Sequence, residues 1–157
     1  MEKYPIILIA ILLLTSCGRV PAKIITGKVI KVHDGDTITV LEGRAQHKIR
    51  LDGIDCPELG QAYGRRAREF TSTLVYGNQV KVIYSERDRY DRVLGMVYTM
   101  GGANLNHELV RAGLAWHYKY YSQDKKLAAI EKAARKANRG LWKDKSPVPP
   151  WQFRQRK

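Results

Sequence analysis

The chain has 157 residues, which fits one domain with modest extensions and excludes a second full core. Lysine and arginine number 28 against 15 acidic residues, and the net charge of +13 favours a polyanionic partner over a surface that only aids solubility or contacts anionic lipid. With two cysteines and no cysteine and histidine cluster at zinc spacing, any bound metal is expected to be a hard cation with oxygen ligands.

The N-terminal stretch differs in character from the rest of the chain. Lys3 precedes an apolar run over residues 5–14, which has the length of a secretory signal core and is too short to span a bilayer. Residues 14–17 (LTSC) resemble the lipobox of bacterial lipoproteins, in which the cysteine is diacylated, for example with palmitate. We therefore expect a signal peptide over residues 1–16 and a lipidated Cys17. An uncleaved anchor or an ordinary secretory signal is the alternative.

A lipoprotein signal, an uncleaved anchor and an ordinary secretory signal all imply an exported protein. A lipid on Cys17 implies a lipoprotein of the cell membrane or the outer membrane that faces the periplasm or the exterior. Cys56 would then have no partner for an intramolecular disulfide, so the fold must depend on its hydrophobic core.

Downstream of this stretch, strands and helices follow in a clear order. Strand character is found in residues 23–33 (interrupted by Gly27), 37–41, 46–51, 79–84 and 93–98. Helical spacing or helix stops are found in residues 61–76, 104–112 and 124–137.

This order favours a mainly β, α+β fold: a five-stranded OB-type barrel with one inserted helix and two C-terminal helices, over residues 23–142. Propensity alone leaves other small folds open. Residues 143–157 form a proline-rich and basic tail, which we expect to be extended or disordered from Ser146 onward.

Two of three segments with candidate chemistry carry little information alone. Residues 34–37 (DGDT) place two carboxylates around a glycine, which is common in ordinary turns. An EF-hand loop is excluded because the required downstream glutamate is missing. Residues 88–92 (DRYDR) are typical of a solvated hairpin loop.

The remaining segment, residues 50–58 (RLDGIDCPE), has more defined local geometry. The proline favours an extended path that repeats about every three residues, so Asp55 and Glu58 are expected to face the same side. With Arg50 beside them, they can hold a cation, a water and a phosphate oxygen together. A surface turn with a single arginine–carboxylate pair is the alternative.

Taken together and in order, these segments resemble the thermonuclease family, the staphylococcal nuclease-like domains, from about residue 23 to residue 142. The resemblance implies one calcium ion held by Asp36, by Asp55 and by the backbone carbonyl of Cys56. Cys56 stands where the family often has threonine, but a carbonyl ligand does not depend on the side chain.

The resemblance also implies catalytic roles for three charged residues. Glu58 corresponds to the general base or water-orienting group, and Arg50 and Arg92 correspond to the two phosphate-binding arginines. The implied activity is a calcium-dependent endonuclease that hydrolyses DNA and RNA to 3′-phosphate products, and we expect a monomer. Asp91 stands where a glycine is frequent and adds a negative charge beside Arg92, which is expected to weaken its hold on phosphate.

An aromatic cluster follows a strand-like segment and has two interpretations. Stacking on nucleotide bases is one, and core packing, which we expect for at least half of the cluster, is the other. Its members are Trp116, Tyr118, Tyr120 and Tyr121.

Two other functions are weighed against the nuclease. A non-catalytic OB-type nucleic-acid-binding lipoprotein would have no need for the acidic and arginine positions that this chain retains. A basic envelope lipoprotein would use its net charge of +13 for anionic lipid.

Overall fold

The structure, a computed structural model, describes residues 21–155. The predicted signal peptide and Cys17 lie outside the described residues. Within that part of the chain, no helix combines the length and apolar character that crossing a membrane requires.

Seven strands and four α-helices make up the described fold. The strands are β1 (Lys23–Val32), β2 (Thr37–Glu42), β3 (Ala45–Leu51), β4 (Ile54–Asp55), β5 (Gln79–Arg87), β6 (Val93–Thr99) and β7 (Trp116–His117). The helices are α1 (Gly64–Val75), α2 (Leu105–Arg111), α3 (Lys125–Lys136) and α4 (Pro150–Gln155), with a 3-10 helix over Gly140–Lys143.

Five of the strands close a barrel in the order β1, β2, β3, β6, β5. All neighbours are antiparallel except β3 and β6, which are parallel. Side chains alternate along β1, where Ile25 and Val29 are buried. Lys28 and Lys31 on the same strand face the solvent. Leu105 and Leu109 of α2 pack against this core. The predicted fold class, a mainly β five-stranded barrel, is confirmed.

Gly27 lies inside β1 and does not interrupt it, contrary to the prediction. A Cβ at this position would collide with the backbone of Leu41 in β2. Glycine therefore permits the two strands to approach closely where the sequence pattern suggested a break.

The C-terminal region differs most from the prediction. The tail was expected to be extended or disordered from Ser146, and this is wrong for Pro150–Gln155, which form α4 and add a helix to the two expected after the barrel. Proline suits the first turn of a helix because its missing N–H would be unpaired there. Trp151 packs on Trp116 and Tyr118, so tertiary contacts hold a helix that is too short to be stable alone.

Asn106 of α2 fixes the turn between β3 and β4, from which the candidate site is built. Its amide nitrogen donates to the carbonyl of Asp52 at 2.9 Å, and its side-chain oxygen accepts from the backbone N–H of Val97 in β6 at 3.1 Å. Because Asn106 is fully buried, these bonds tie the turn rigidly to the barrel.

Candidate active site

The acidic loop between β1 and β2 is held against helix α1. A Cβ on Gly35 would lie 2.7 Å from the Cβ of Ala67 and 2.8 Å from that of Cys56, so only glycine fits at this contact. The backbone carbonyl of Asp36 accepts a hydrogen bond from Leu51 at 2.8 Å, which joins the loop to the end of β3. The Asp36 side chain is consequently directed into the protein and is buried.

Arg50, near the end of β3, bridges two of the predicted carboxylates. Its Nη1 lies 3.1 Å from Oδ1 of Asp36, and its Nη2 donates to Oδ1 of Asp55 at 2.8 Å. The side chains of Asp36 and Asp55 are only 7% and 2% exposed, and that of Arg50 is 14% exposed. Charge pairs this buried interact strongly because little water screens them.

The turn after β4 places Asp55 and Glu58 together. Asp55 is fixed by strand pairing, since β4 lies antiparallel to β7 with Asp55 opposite Trp116. The backbone N–H of Cys56 donates to Oδ2 of Asp36 at 2.6 Å, which closes the loop between the two aspartates. One nitrogen of Arg154 contacts both Asp55 and Glu58, so the prediction that these carboxylates face the same side is confirmed.

Negative charge exceeds positive charge around Asp36. Burial, together with the negative charges of Asp34 and Asp55, raises the pKa of Asp36 to about 7 against the opposing effect of Arg50. Burial likewise raises the pKa of the Cys56 thiol, which is therefore neutral at physiological pH. A divalent cation beside the aspartates would supply the missing positive charge.

The oxygen chemistry suits a calcium ion. Within residues 21–155, no three side chains of histidine, cysteine, aspartate or glutamate converge as a ready-made metal cage. Calcium accepts carboxylates, backbone carbonyls and water in one coordination shell, so two aspartates beside the Cys56 backbone fit it. The Cys56 carbonyl stays a predicted ligand.

The β5–β6 hairpin presents Arg92. Asp88 holds this hairpin: its Oδ1 accepts from the backbone N–H groups of Tyr90 and Arg92 at 2.9 Å each, and its Oδ2 accepts from Nε of Arg92 at 2.7 Å. Burial opposes ionisation of Asp88, but hydrogen bonds from Arg92 lower its pKa below the ordinary value. Arg92 is thus held in one orientation by a charged partner that the sequence analysis did not assign.

Asp91 affects Arg92 less directly than expected. Its backbone is left-handed with φ of 60°, a conformation that glycine adopts more easily, and its carboxylate pairs with Arg87 at 3.1 Å. The negative charge was predicted beside Arg92, but its ion-pair partner is Arg87.

A cleft of about 750 Å³ brings the candidate residues together. The predicted residues that line it are Asp36, Arg50, Asp55, Cys56, Glu58 and Arg92. Of the aromatic cluster, Tyr118 and Tyr121 also line this cleft, whereas Trp116 packs in a core with Trp142.

The sequence analysis missed Arg154, which enters the cleft from α4. Its Nη2 lies 2.8 Å from Oδ2 of Asp55, and its Nη1 lies 2.7 Å from Oε1 of Glu58. Burial alone would lower the pKa of Arg154, but hydrogen bonds to Asp55 and Glu58 raise it. Pro150 was a usable signal for the start of α4, but no local pattern reports a contact between residues 99 positions apart.

Comparison with known proteins places the chain among nucleases. Residues 48–144 match the family described as staphylococcal nuclease homologue. A protein of Escherichia coli described as an uncharacterized endonuclease is 49% identical over 133 residues, which cover 85% of this chain and 87% of the relative. The micrococcal nuclease of Shigella flexneri is 42% identical over 138 residues, covering 82% and 79%.

The bridge made by Arg50 predicts a large effect on stability. Arg50→Ala leaves Asp36 and Asp55 buried without their shared partner, so the free energy of unfolding at neutral pH should fall by about 3 kcal/mol or more. Urea unfolding followed by circular dichroism measures the loss. Arg87→Ala, which removes an exposed pair with Asp91, is the control and should cost less than about 1 kcal/mol. Equal losses in the two variants would contradict the prediction.

Proposed function

Because this chain belongs to the staphylococcal nuclease family, we propose that it is a calcium-dependent endonuclease that hydrolyses DNA and RNA to products with 3′-phosphate ends. The observation that carries the proposal is the pair of buried aspartates bridged by Arg50, with Glu58 in the same cleft. That arrangement combines a cation site, a base and a phosphate-binding group.

Two arginines are suited to the phosphodiester. A guanidinium has five N–H donors, and Arg50 uses two of them in hydrogen bonds to Leu51 and Asp55 while it also forms an ion pair with Asp36. Arg92, held by Asp88, lines the same cleft from the opposite hairpin. Both can donate to the non-bridging phosphate oxygens, and such charge-assisted bonds strengthen as negative charge builds in the transition state.

Glu58 is suited to act on water. Its side chain is 37% exposed, so a water molecule can reach it, and the turn fixes it beside Asp55. Glu58 orients the water and accepts its proton while the water oxygen bonds to phosphorus. The bond from phosphorus to the 5′ oxygen breaks, that oxygen leaves as the alcohol after taking up a proton, and the phosphate stays on the 3′ oxygen. A calcium ion held by Asp36 and Asp55 would stabilise negative charge on the phosphate.

Substrate binding gains from the overall charge. The net charge of +13 attracts polyanions, and lysines and arginines that contact the backbone release counterions. Neither contribution distinguishes DNA from RNA, which agrees with activity on both.

Plasmid cleavage tests the proposal. With calcium, supercoiled plasmid should be nicked and degraded, and excess chelator should abolish the reaction. Glu58→Gln removes the base and should lower the rate by about a hundredfold or more. Glu69→Gln, on an exposed position of α1, is the matched control and should retain full rate.

The products and the variants separate the possible outcomes. Ends with 3′-phosphate should resist extension by a DNA polymerase until a phosphatase removes the phosphate. Undiminished cleavage in chelator, or an active Glu58→Gln protein, would refute the corresponding part of the mechanism.

Asp88 predicts a positioning effect on Arg92. Asp88→Asn weakens the carboxylate bonds to the hairpin and the Arg92 side chain, so kcat/KM should fall by about tenfold to a hundredfold with the fold intact. Asp91→Asn removes the same charge from the same hairpin. Because the carboxylate of Asp91 pairs with Arg87 and not with Arg92, this variant should change the rate little. The prediction fails if both variants cleave the plasmid at equal rates.

The proposal includes a location. A lipid on Cys17 would hold a monomeric enzyme at the cell membrane or the outer membrane, with its cleft toward the periplasm or the exterior. This part is supported by residues 14–17 (LTSC) alone.

A further inference from the structure

The C-terminal segment, residues 148–155, is docked on the cleft through contacts outside the carboxylates. The side-chain nitrogen of Gln61 donates to the carbonyl of Val148 at 2.6 Å. The ring of Trp151 stacks on Tyr118 with 5.1 Å between ring centroids and 2° between planes, and contacts Trp116 edge-on at 5.6 Å. The segment is therefore anchored both to the loop before α1 and to the residues around β7.

Docking aims Arg154 at the residues that bind and react. Its guanidinium contacts Oδ1 of Asp55 at 3.3 Å, Oδ2 of Asp55 at 2.8 Å and Oε1 of Glu58 at 2.7 Å. Arg154 thereby engages both oxygens of Asp55. The Oδ1 atom also accepts a hydrogen bond from Arg50. One positive group of this chain occupies the position that a cation on Asp55 would need.

The docked segment and a bound calcium ion compete for the same oxygens. Calcium lies about 2.3–2.6 Å from its carboxylate ligands, which would place it against a guanidinium of the same sign. The ion pair with Glu58 further engages the group proposed to accept the water proton.

The segment also covers the aromatic side of the cleft. Stacking on an exposed ring is the usual way in which a single-stranded base is held, and Trp151 already lies on the face of Tyr118. Arg154 is 43% exposed, so its ion pairs are screened by water and can be exchanged for a divalent cation.

We propose that residues 148–155 are an autoinhibitory segment, in which Arg154 takes the place of the cation on Asp55 and Glu58 while Trp151 covers Tyr118. Calcium binding expels Arg154 and frees the segment from the cleft. This inference depends on the proposed function of the same cleft.

Calcium affinity tests the competition directly. Calcium chloride is titrated calorimetrically into the full chain and into Arg154→Ala, and the dissociation constant should be about tenfold lower in the variant. The amount of calcium needed for half-maximal plasmid cleavage should fall in parallel, while the rate at saturating calcium is unchanged.

A matched control removes the same charge at a distance. The register of the β2–β3 hairpin pairs Thr37 with Arg50 at one end and Glu42 with Ala45 at the other. Arg44 lies in the turn beyond Glu42. This turn is about 17 Å from Arg50 along the strand, at roughly 3.3 Å per residue. Arg44→Ala should leave the calcium dissociation constant unchanged within about twofold, because the charge is more than one screening length away.

A second variant leaves every charge in place. Trp151→Ala removes the stack on Tyr118 and loosens the segment, so it should also lower the calcium dissociation constant, by less than Arg154→Ala does. Agreement between the two variants assigns the effect to docking of the segment and not to the local charge alone.

Three results would overturn the inference. Equal calcium affinity in the unmodified chain and Arg154→Ala would overturn it and leave the proposed function standing. A lower cleavage rate for Arg154→Ala at saturating calcium, with unchanged calcium affinity, would make Arg154 a substrate contact. No calcium binding by either protein would overturn both this inference and the calcium requirement of the proposed function.

Discussion

The guanidinium of Arg50 joins two carboxylates that originate in different parts of the chain. Asp36 comes from the loop after β1, Asp55 from the short strand β4, and Arg50 contacts both from the end of β3. Burial makes this bridge strong and also makes its loss costly, since Asp36 would lose its ion-pair partner and Asp55 would keep only the partly exposed Arg154. The loop contact at Gly35 and the Asn106 bonds to the turn before β4 serve to keep these groups in register.

A single arginine does not neutralise the cluster, and this imbalance links stability to function. The pKa of Asp36 is raised first by burial and further by the negative charges of Asp34 and Asp55, so the fold retains a surplus of negative charge there at a cost in stability. Such a surplus is useful to an enzyme whose substrate is an anion only if a cation joins the site, because phosphate would otherwise be repelled. The chain itself provides one cation in Arg154, and the solution provides another in calcium. In the proposed autoinhibition, competition between them would make access to the cleft depend on the metal.

Local patterns favoured the barrel among several small folds, and the resemblance to the nuclease family identified the charged residues of the cleft. Strand alternation and turn residues identify the barrel strands, and the spacing around Pro57 places Asp55 and Glu58 on one side. The β4–β7 pair was not predicted, because strands of two residues are too short to show an alternating pattern. Helix α4 escaped because its stability comes from Trp151 packing on distant rings, and the contact of Arg154 with Asp55 is a tertiary effect of that packing. Asp88 could be recognised as part of a hairpin, but its grip on Arg92 required the actual turn geometry.

Diffraction from crystals of the full chain grown with calcium chloride tests the central claim most directly. The account predicts one calcium ion between Asp36 and Asp55, about 2.3–2.6 Å from an oxygen of each, with Arg154 withdrawn from Asp55. Calcium bound elsewhere in the molecule, or an ion-free cleft with Arg154 still on Asp55 and Glu58 at saturating calcium, would contradict it.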